Sequence, residues 1–232
     1  MNNFTGCLIC GDELEYLTDP IQNECRICRN TFVTKTICKS GHFVCDQCHE
    51  SEPNDFILNY CIKECSNSDP LSMLNDLLNI KVINMHGPEH HFLVPSVLIT
   101  AYYNKIQDQS QKEKKLKMLK RQVANITGGF CGFYGACGTA IGAGTFLSFI
   151  TDCNPMETES WGNANILTGK ILQKIGELGG PRCCKRTSFV SVIESSEFVK
   201  ERYNMDFNVN ADFKCSFKKY NKECIGKKCP FF

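Results

Sequence analysis

The chain has almost no net charge. Its 26 Lys and Arg stand against 25 Asp and Glu, leaving +1 over 232 residues. Bulk charge therefore gives no case for a nucleic acid or an anionic membrane as partner. Long apolar runs are also lacking. The longest lies between Thr139 and Ile150, short of the roughly 20 residues that span a bilayer. The opening "MNNFTGCLIC" holds no apolar core of the secretory kind, and no internal repeat is evident. The expectation is a soluble, cytoplasmic protein. With 42% hydrophobic residues, the chain can build one sizeable core, or one core and a small satellite.

Cysteine, by contrast, is abundant, with 17 residues. In a secreted chain that would imply disulfides. Here many thiols come as CxxC pairs, which in a cytosolic setting serve as metal ligands or redox dithiols, and an odd count cannot pair fully within one chain.

Residues 1–52 are rich in Cys, Gly and polar residues and read as short strands and turns around metal. Residues 53–232 read as a cysteine-rich all-α domain with an irregular tail, so the fold class is mainly α with a small N-terminal zinc-ribbon or zinc-knuckle module. In "DFILNYCIKECSNS", Ile57, Cys61 and Cys65 recur at one helix face. Asp69-Pro70 starts another helix. "PEHHFLVPSVLITAYYNKI" is an apolar helix interrupted or kinked near Pro95. "QSQKEKKLKMLKRQVANI" is a basic helix without interleaved aromatics, whose Lys112–Arg121 stretch reads as a solvated face. The helix that follows "METES" stops at Gly179-Gly180.

Four pairs mark the N-terminal module: Cys7-x2-Cys10, Cys25-x2-Cys28, Cys38-x3-His42 and Cys45-x2-Cys48. A CxxC turn aims two thiolates at one point, and two such turns complete a tetrahedral zinc site. Cys7, Cys10, Cys25 and Cys28 suit a four-cysteine ribbon; Cys38, His42, Cys45 and Cys48 suit a second site. Spacing alone leaves open a crossed arrangement in which pairs one and three share a metal. Full ligation makes such zinc structural.

Four stretches of the body carry chemistry. In "GGFCGFYGACGTAIGAG", Cys137 sits where a helix begins, a place that favours thiolate, and Cys131 precedes it. Gly128, Gly129, Gly132 and Gly135 would let backbone approach a cofactor. Gly138, Gly142 and Gly144 each cost about 1 kcal/mol in a helix relative to alanine, which calls for a close helix contact or a cofactor as offset. In "GGPRCCKR", Arg182 and its basic neighbours flank Cys183 and Cys184, and adjacent thiols suit two different roles. The tail holds Cys215, Cys224 and Cys229, followed by Pro230, as in ferredoxin-type ligation. Its fourth ligand would come from Cys184, Cys183 or Cys153, with zinc as the competing metal. In "MHGPEHH", His86 and His90 are candidate ligands or acid/base groups, Glu89 could orient them, and His91 is a cap or solvent-facing residue.

Through "CDQCH", "MHGPEHHFLVP", "GGFCGFYGACGTAIGAG", "GGPRCCKR" and "CIGKKCPFF", which span nearly the whole chain, the sequence resembles a cysteine-rich family of strict anaerobes and methanogens (domain of unknown function 5714). The resemblance implies an oxygen-sensitive metabolism and neighbouring methyltransferase domains, although this chain lacks a methyltransferase glycine motif. The order Cys131, Cys137, Cys153, Cys183-Cys184 is also similar to a redox-associated family, with a departure in the residues flanking Cys137.

The function expected is that of a metal-thiolate, iron–sulfur protein performing redox or sulfur-transfer chemistry. Cys131, Cys137, His86 and His90 would be catalytic. Gly128, Gly129, Gly132, Gly135, Cys183, Cys184 and Arg182 would hold a cofactor. The substrate would be a small or sulfur-containing molecule, the partner a methyltransferase or redox protein, and no membrane is involved. The alternative is a zinc-stabilised protein- or nucleic-acid-binding module without catalysis.

Overall fold

A computed structural model of the chain describes residues 6–7, 12–25, 30–80 and 82–232, without the side chains of residues 47–52. Its described part is mainly helical. Two antiparallel strands, β1 (Leu14–Glu24) and β2 (Thr31–Cys38), precede eight helices: α1 (Asp46–Lys63), α2 (Pro70–Leu78), α3 (Glu89–Lys105), α4 (Gln109–Val123), α5 (Phe130–Phe133), α6 (Gly138–Ile150), α7 (Glu159–Leu178) and α8 (Cys184–Tyr203). The tail adds two 3₁₀ turns, Lys218–Tyr220 and Gly226–Lys228. No helix among the described residues is long and apolar enough to cross a membrane.

Strand pairing runs Leu14↔Cys38 to Tyr16↔Thr36, shifts, and resumes at Ile21↔Thr34. Pro20, which has no N–H to give a ladder, falls in that interruption. Helix α2 begins as its sequence dictates. Pro70 fills the first position and Asp69 Oδ1 accepts the N–H groups of Leu71 and Ser72 at 2.9 and 3.2 Å. Helix α7 ends at Gly179, whose φ of 71° suits only glycine well.

Helix α3 is the axis of the body. Fifteen of its 17 residues are buried, and it packs on α1, α2, α4, α6 and α8. A helix covered on every side has no polar stripe to show, and Pro95 sits inside one continuous element. Helix α4 is amphipathic instead. Leu116, Leu119 and Val123 face the core, and so does Lys112, whose Nζ donates to Glu64 O and Asn104 Oδ1 at 2.5 and 3.0 Å. The expected solvated basic face therefore excludes its first lysine. Cys61 is fully buried, while Cys65 lies beyond the end of α1 and is exposed. The two do not share the apolar face that their spacing suggested, because the helix stops at Lys63.

Candidate functional site

The N-terminal thiols group by strand register. The pair Leu14↔Cys38 lays the end of β2 beside the start of β1. Cys7 thereby meets Cys38 and His42, with ligand atoms all within 4.8 Å of one another. This trio can hold a metal ion. It joins pairs one and three, the crossed grouping, rather than pairs one and two. The Cys45 N–H donates to Cys25 Sγ at 3.3 Å, so pair four stands beside pair two. The first and second knuckles close alike, Cys7 N–H to Asp12 O at 2.8 Å and Cys25 N–H to Asn30 O at 2.9 Å. Cys10, Cys28 and the side chain of Cys48 lie outside the described residues.

Between this hairpin and the helices lies a cleft of about 770 Å³. Its walls include Tyr16 and Lys35 from the strands, His86 from the approach to α3, Gly128 and Gly129 from the glycine loop, and Arg182. Several contacts join the two sides. The Arg182 guanidinium lies 5.1 Å from the Tyr16 ring centre, and Lys35 Nζ lies 5.7 Å from that of Phe133. The Gly128 N–H bonds the Asp46 carboxylate. A side chain at Gly128 would crowd that carboxylate, since its Cβ would lie 2.9 Å from Asp46 Oδ1.

His86 stands in the wall of the cleft. Its ring is 5% exposed. Nδ1 accepts the Cys184 N–H at 3.4 Å, which leaves the proton on Nε2. Nε2 then donates to Asn221 Oδ1 at 3.2 Å and Glu223 Oε2 at 3.1 Å. Burial, aided by the Arg182 charge, lowers the His86 pKa, while Glu223 opposes the shift. The imidazole is thus held neutral and oriented near neutral pH. Beside it, burial pushes the Cys184 thiol up, opposed by Arg182, and Cys137 adds a like-charge contribution. Burial also raises Cys131, again with Cys137 adding and Arg182 opposing. Cys131, Cys137, Cys184 and Arg182 therefore share one electrostatic neighbourhood.

Cys183 and Cys184 diverge. Cys183 caps α8, its sulfur accepting the Arg186 N–H at 3.4 Å. It faces the tail and lines one small pocket with Cys215, Cys224 and Cys229. Of the three cysteines expected as a fourth ligand for the tail, Cys183 is the one that lines this pocket. Cys153 lies past the far end of α6 from Cys137 and takes no part. Asn221 stands between the two regions. Its Oδ1 accepts from His86, and its Nδ2 donates to Cys183 Sγ at 3.3 Å.

Other expected residues are placed elsewhere. His90 is fully buried, with Nδ1 3.1 Å from Gly87 O, and does not line the cleft. His91 is buried as well, with Nδ1 3.0 Å from Ile126 O, and neither caps α3 by its side chain nor faces solvent. Gly132 and Gly135 do not line this cleft, and Cys131, Cys137 and Cys184 stand behind its wall rather than on it; Gly135 serves a φ of 67°. The helical glycines are explained by close packing. A Cβ on Gly138 would strike the His91 ring, one on Gly142 would lie 2.8 Å from His91 O, and one on Gly144 would strike Thr168 Oγ1. Sequence reasoning missed Tyr16, Asp46, Asn221 and Glu223. Only the last two carried a signal, as polar residues lodged between Cys215 and Cys229.

No curated protein and no solved structure matches the chain. A family model does, over residues 57–232, which takes in α2 to α8, His86, the glycine loop, Cys183-Cys184 and the tail. By that match the chain belongs to the Family of unknown function (DUF5714).

Proposed function

We propose that the protein is a metal-thiolate enzyme of redox or sulfur-transfer chemistry, with its reaction centre in the cleft at His86. The observation that carries this reading is the convergence on one imidazole. Cys184 bonds Nδ1 through its N–H, Cys137 and Arg182 stand beside Cys184 and Cys131, and Asn221 links the ring to the four-cysteine pocket. A neutral, oriented imidazole can take a thiol proton on Nδ1 in exchange for the long, 3.4 Å bond from the Cys184 N–H, and then return it. Arg182 can hold a small anionic or sulfur-containing substrate against the thiols and stabilise thiolate as it forms. Zinc suits Cys7, Cys38 and His42, whose ligand atoms lie within 4.8 Å of one another. Its place in the hairpin makes it structural, and an anaerobic cytoplasmic setting accords with a chain of 17 cysteines.

The test is thiol mapping by mass spectrometry on full-length protein kept without oxygen. Incubation with polysulfide is expected to leave a persulfide on Cys131, Cys137 or Cys184, or a disulfide among them, and His86→Gln is expected to slow this at least tenfold. If all three stay unmodified while exposed Cys65 reacts, the reading fails. The other reading, a zinc-stabilised binding module, is favoured by the same Cys7–Cys38–His42 trio, and would then take its place.

A further inference from the structure

Two thiol-rich sites in this chain differ in how far apart they hold their ligands. At the N-terminus, Cys7, Cys38 and His42 bring their ligand atoms within 4.8 Å of one another. In the tail, Cys183, Cys215, Cys224 and Cys229 line one pocket, yet no three of their sulfurs meet that limit. The difference bears on what each can bind. A tetrahedral ion with metal–sulfur bonds of about 2.3 Å holds its sulfurs about 3.8 Å apart. In a cluster each iron takes one or two cysteine thiolates and fills its other positions with inorganic sulfide, so no three cysteine sulfurs crowd around one point. Four thiolates complete either of the common cluster types.

The surroundings fit a cluster rather than four resting thiols. The Cys183 sulfur accepts two N–H bonds, from Arg186 N at 3.4 Å and Asn221 Nδ2 at 3.3 Å. The backbone N–H groups of Phe217 and Lys218 are directed at the Cys215 sulfur. Donors on sulfur stabilise thiolate and sulfide charge, and Arg186 adds a cation at the pocket wall. Phe217 and Phe231 are buried there and exclude water. The tail is held in place for this: the Cys215 N–H donates to Phe231 O at 2.7 Å, and the Phe213 and Phe231 rings stack at 5.1 Å.

We infer that Cys183, Cys215, Cys224 and Cys229 ligate an iron–sulfur cluster, and that Asn221 is a positioning residue that donates to its Cys183 ligand. The inference rests on the metal-thiolate reading and deepens it. The cluster lies one peptide unit from Cys184 and one side chain from His86, close enough to exchange electrons with the cleft.

The experiment uses the full chain, reconstituted without oxygen with ferrous iron and sulfide. Expected are iron and acid-labile sulfide in equal amounts and a Mössbauer spectrum of coupled tetrahedral iron. Cys224→Ser and Cys229→Ser should each lose most of the sulfide-bearing iron, while Cys38→Ser should keep it. Asn221→Ala keeps all four thiols. It should retain the cluster with a lower midpoint potential, because a hydrogen bond that favours the more negative reduced form is gone. Zinc in the tail site, with no sulfide, would overturn the cluster and leave the metal-thiolate reading standing. No metal of either kind at the tail would overturn both. Sulfide-bearing iron that survives Cys224→Ser and Cys229→Ser, or an unchanged potential in Asn221→Ala, would overturn this placement.

Discussion

Glu89 is fully buried at the first turn of α3. Its Oε1 accepts the Asn84 N–H at 2.9 Å, while Oε2 has no partner. Burial raises its pKa from 4.5 to about 7, with its own N–H and then Lys185 pulling the other way. A carboxyl with a raised folded-state pKa binds its proton more tightly when folded. Stability therefore falls as pH rises from about 4.5 to about 7, and above 7 the whole penalty is present. Glu89→Gln keeps an acceptor for Asn84 and removes the titration. Its stability relative to the parent, measured by urea unfolding, should rise between pH 5 and pH 8 by up to about 3 kcal/mol. Lys185, itself lowered by burial to about 8, loses a partner in this variant, which trims the gain. A difference independent of pH would contradict the assignment. The thiols follow the same physics. Burial raises Cys61 to about 12, so in folded, metal-free protein Cys61 should alkylate at least a hundredfold more slowly than half-buried Cys131. Comparable rates, read by mass spectrometry, would count against it.

Helices α6 and α7 are both rich in glycine, for opposite reasons. In α6 the glycines are contact points. At Gly142 a methyl group would lie 2.8 Å from the α3 backbone at His91 O, where no side-chain rotation can relieve it. In α7, Gly162, Gly169 and Gly176 have open space where a Cβ would go. Alanine at each α7 position should stabilise by about 0.5–1 kcal/mol through backbone entropy. Gly142→Ala should destabilise by more than about 1 kcal/mol despite its better helix propensity. Thermal melts of the variants check the contrast, and a stabilised Gly142→Ala would refute the close approach. Much of this layer was legible in the sequence, because local chemistry writes helix ends: Asp69-Pro70 at the start of α2, Gly179 after α7, Cys137 before α6. The role of His90 was not legible. His86 and His90 sit in one short motif, but the helix begins between them and carries His90 into the core. Nor was the parting of Cys183 from Cys184. One caps α8 and the next is its first helical residue, so the two side chains leave in different directions.

The apolar core begins at Ile57 and draws on the helices and the tail; no described residue before Ile57 belongs to it. In the described hairpin region, the buried apolar residues are Cys7, Cys25, Cys38 and Cys45. A two-stranded hairpin is marginal in water by itself, and on it Val33 is largely exposed and Tyr16 and Ile21 are partly so. On the proposed reading, metal at the Cys7–Cys38–His42 trio helps to hold this wall of the cleft, together with bridging contacts. Those contacts are weak: the Arg182–Tyr16 stack, and the surface pair Lys222–Glu13 at 3.4 Å with both side chains exposed. Metal binding of this kind is itself folding free energy. Chelation of the N-terminal metal should therefore strip protection from the amides of the β1–β2 ladder while leaving α3 and α6 intact, since the described apolar core that packs them begins at Ile57. Hydrogen exchange read by mass spectrometry separates the segments. Loss confined to residues 12–38 is the expected result, and Cys38→Ser should reproduce it without chelator. Protection of the ladder that survives both treatments would mean that the hairpin is held by its own strands and by the helices, and the metal would then have to be explained by chemistry rather than by structure.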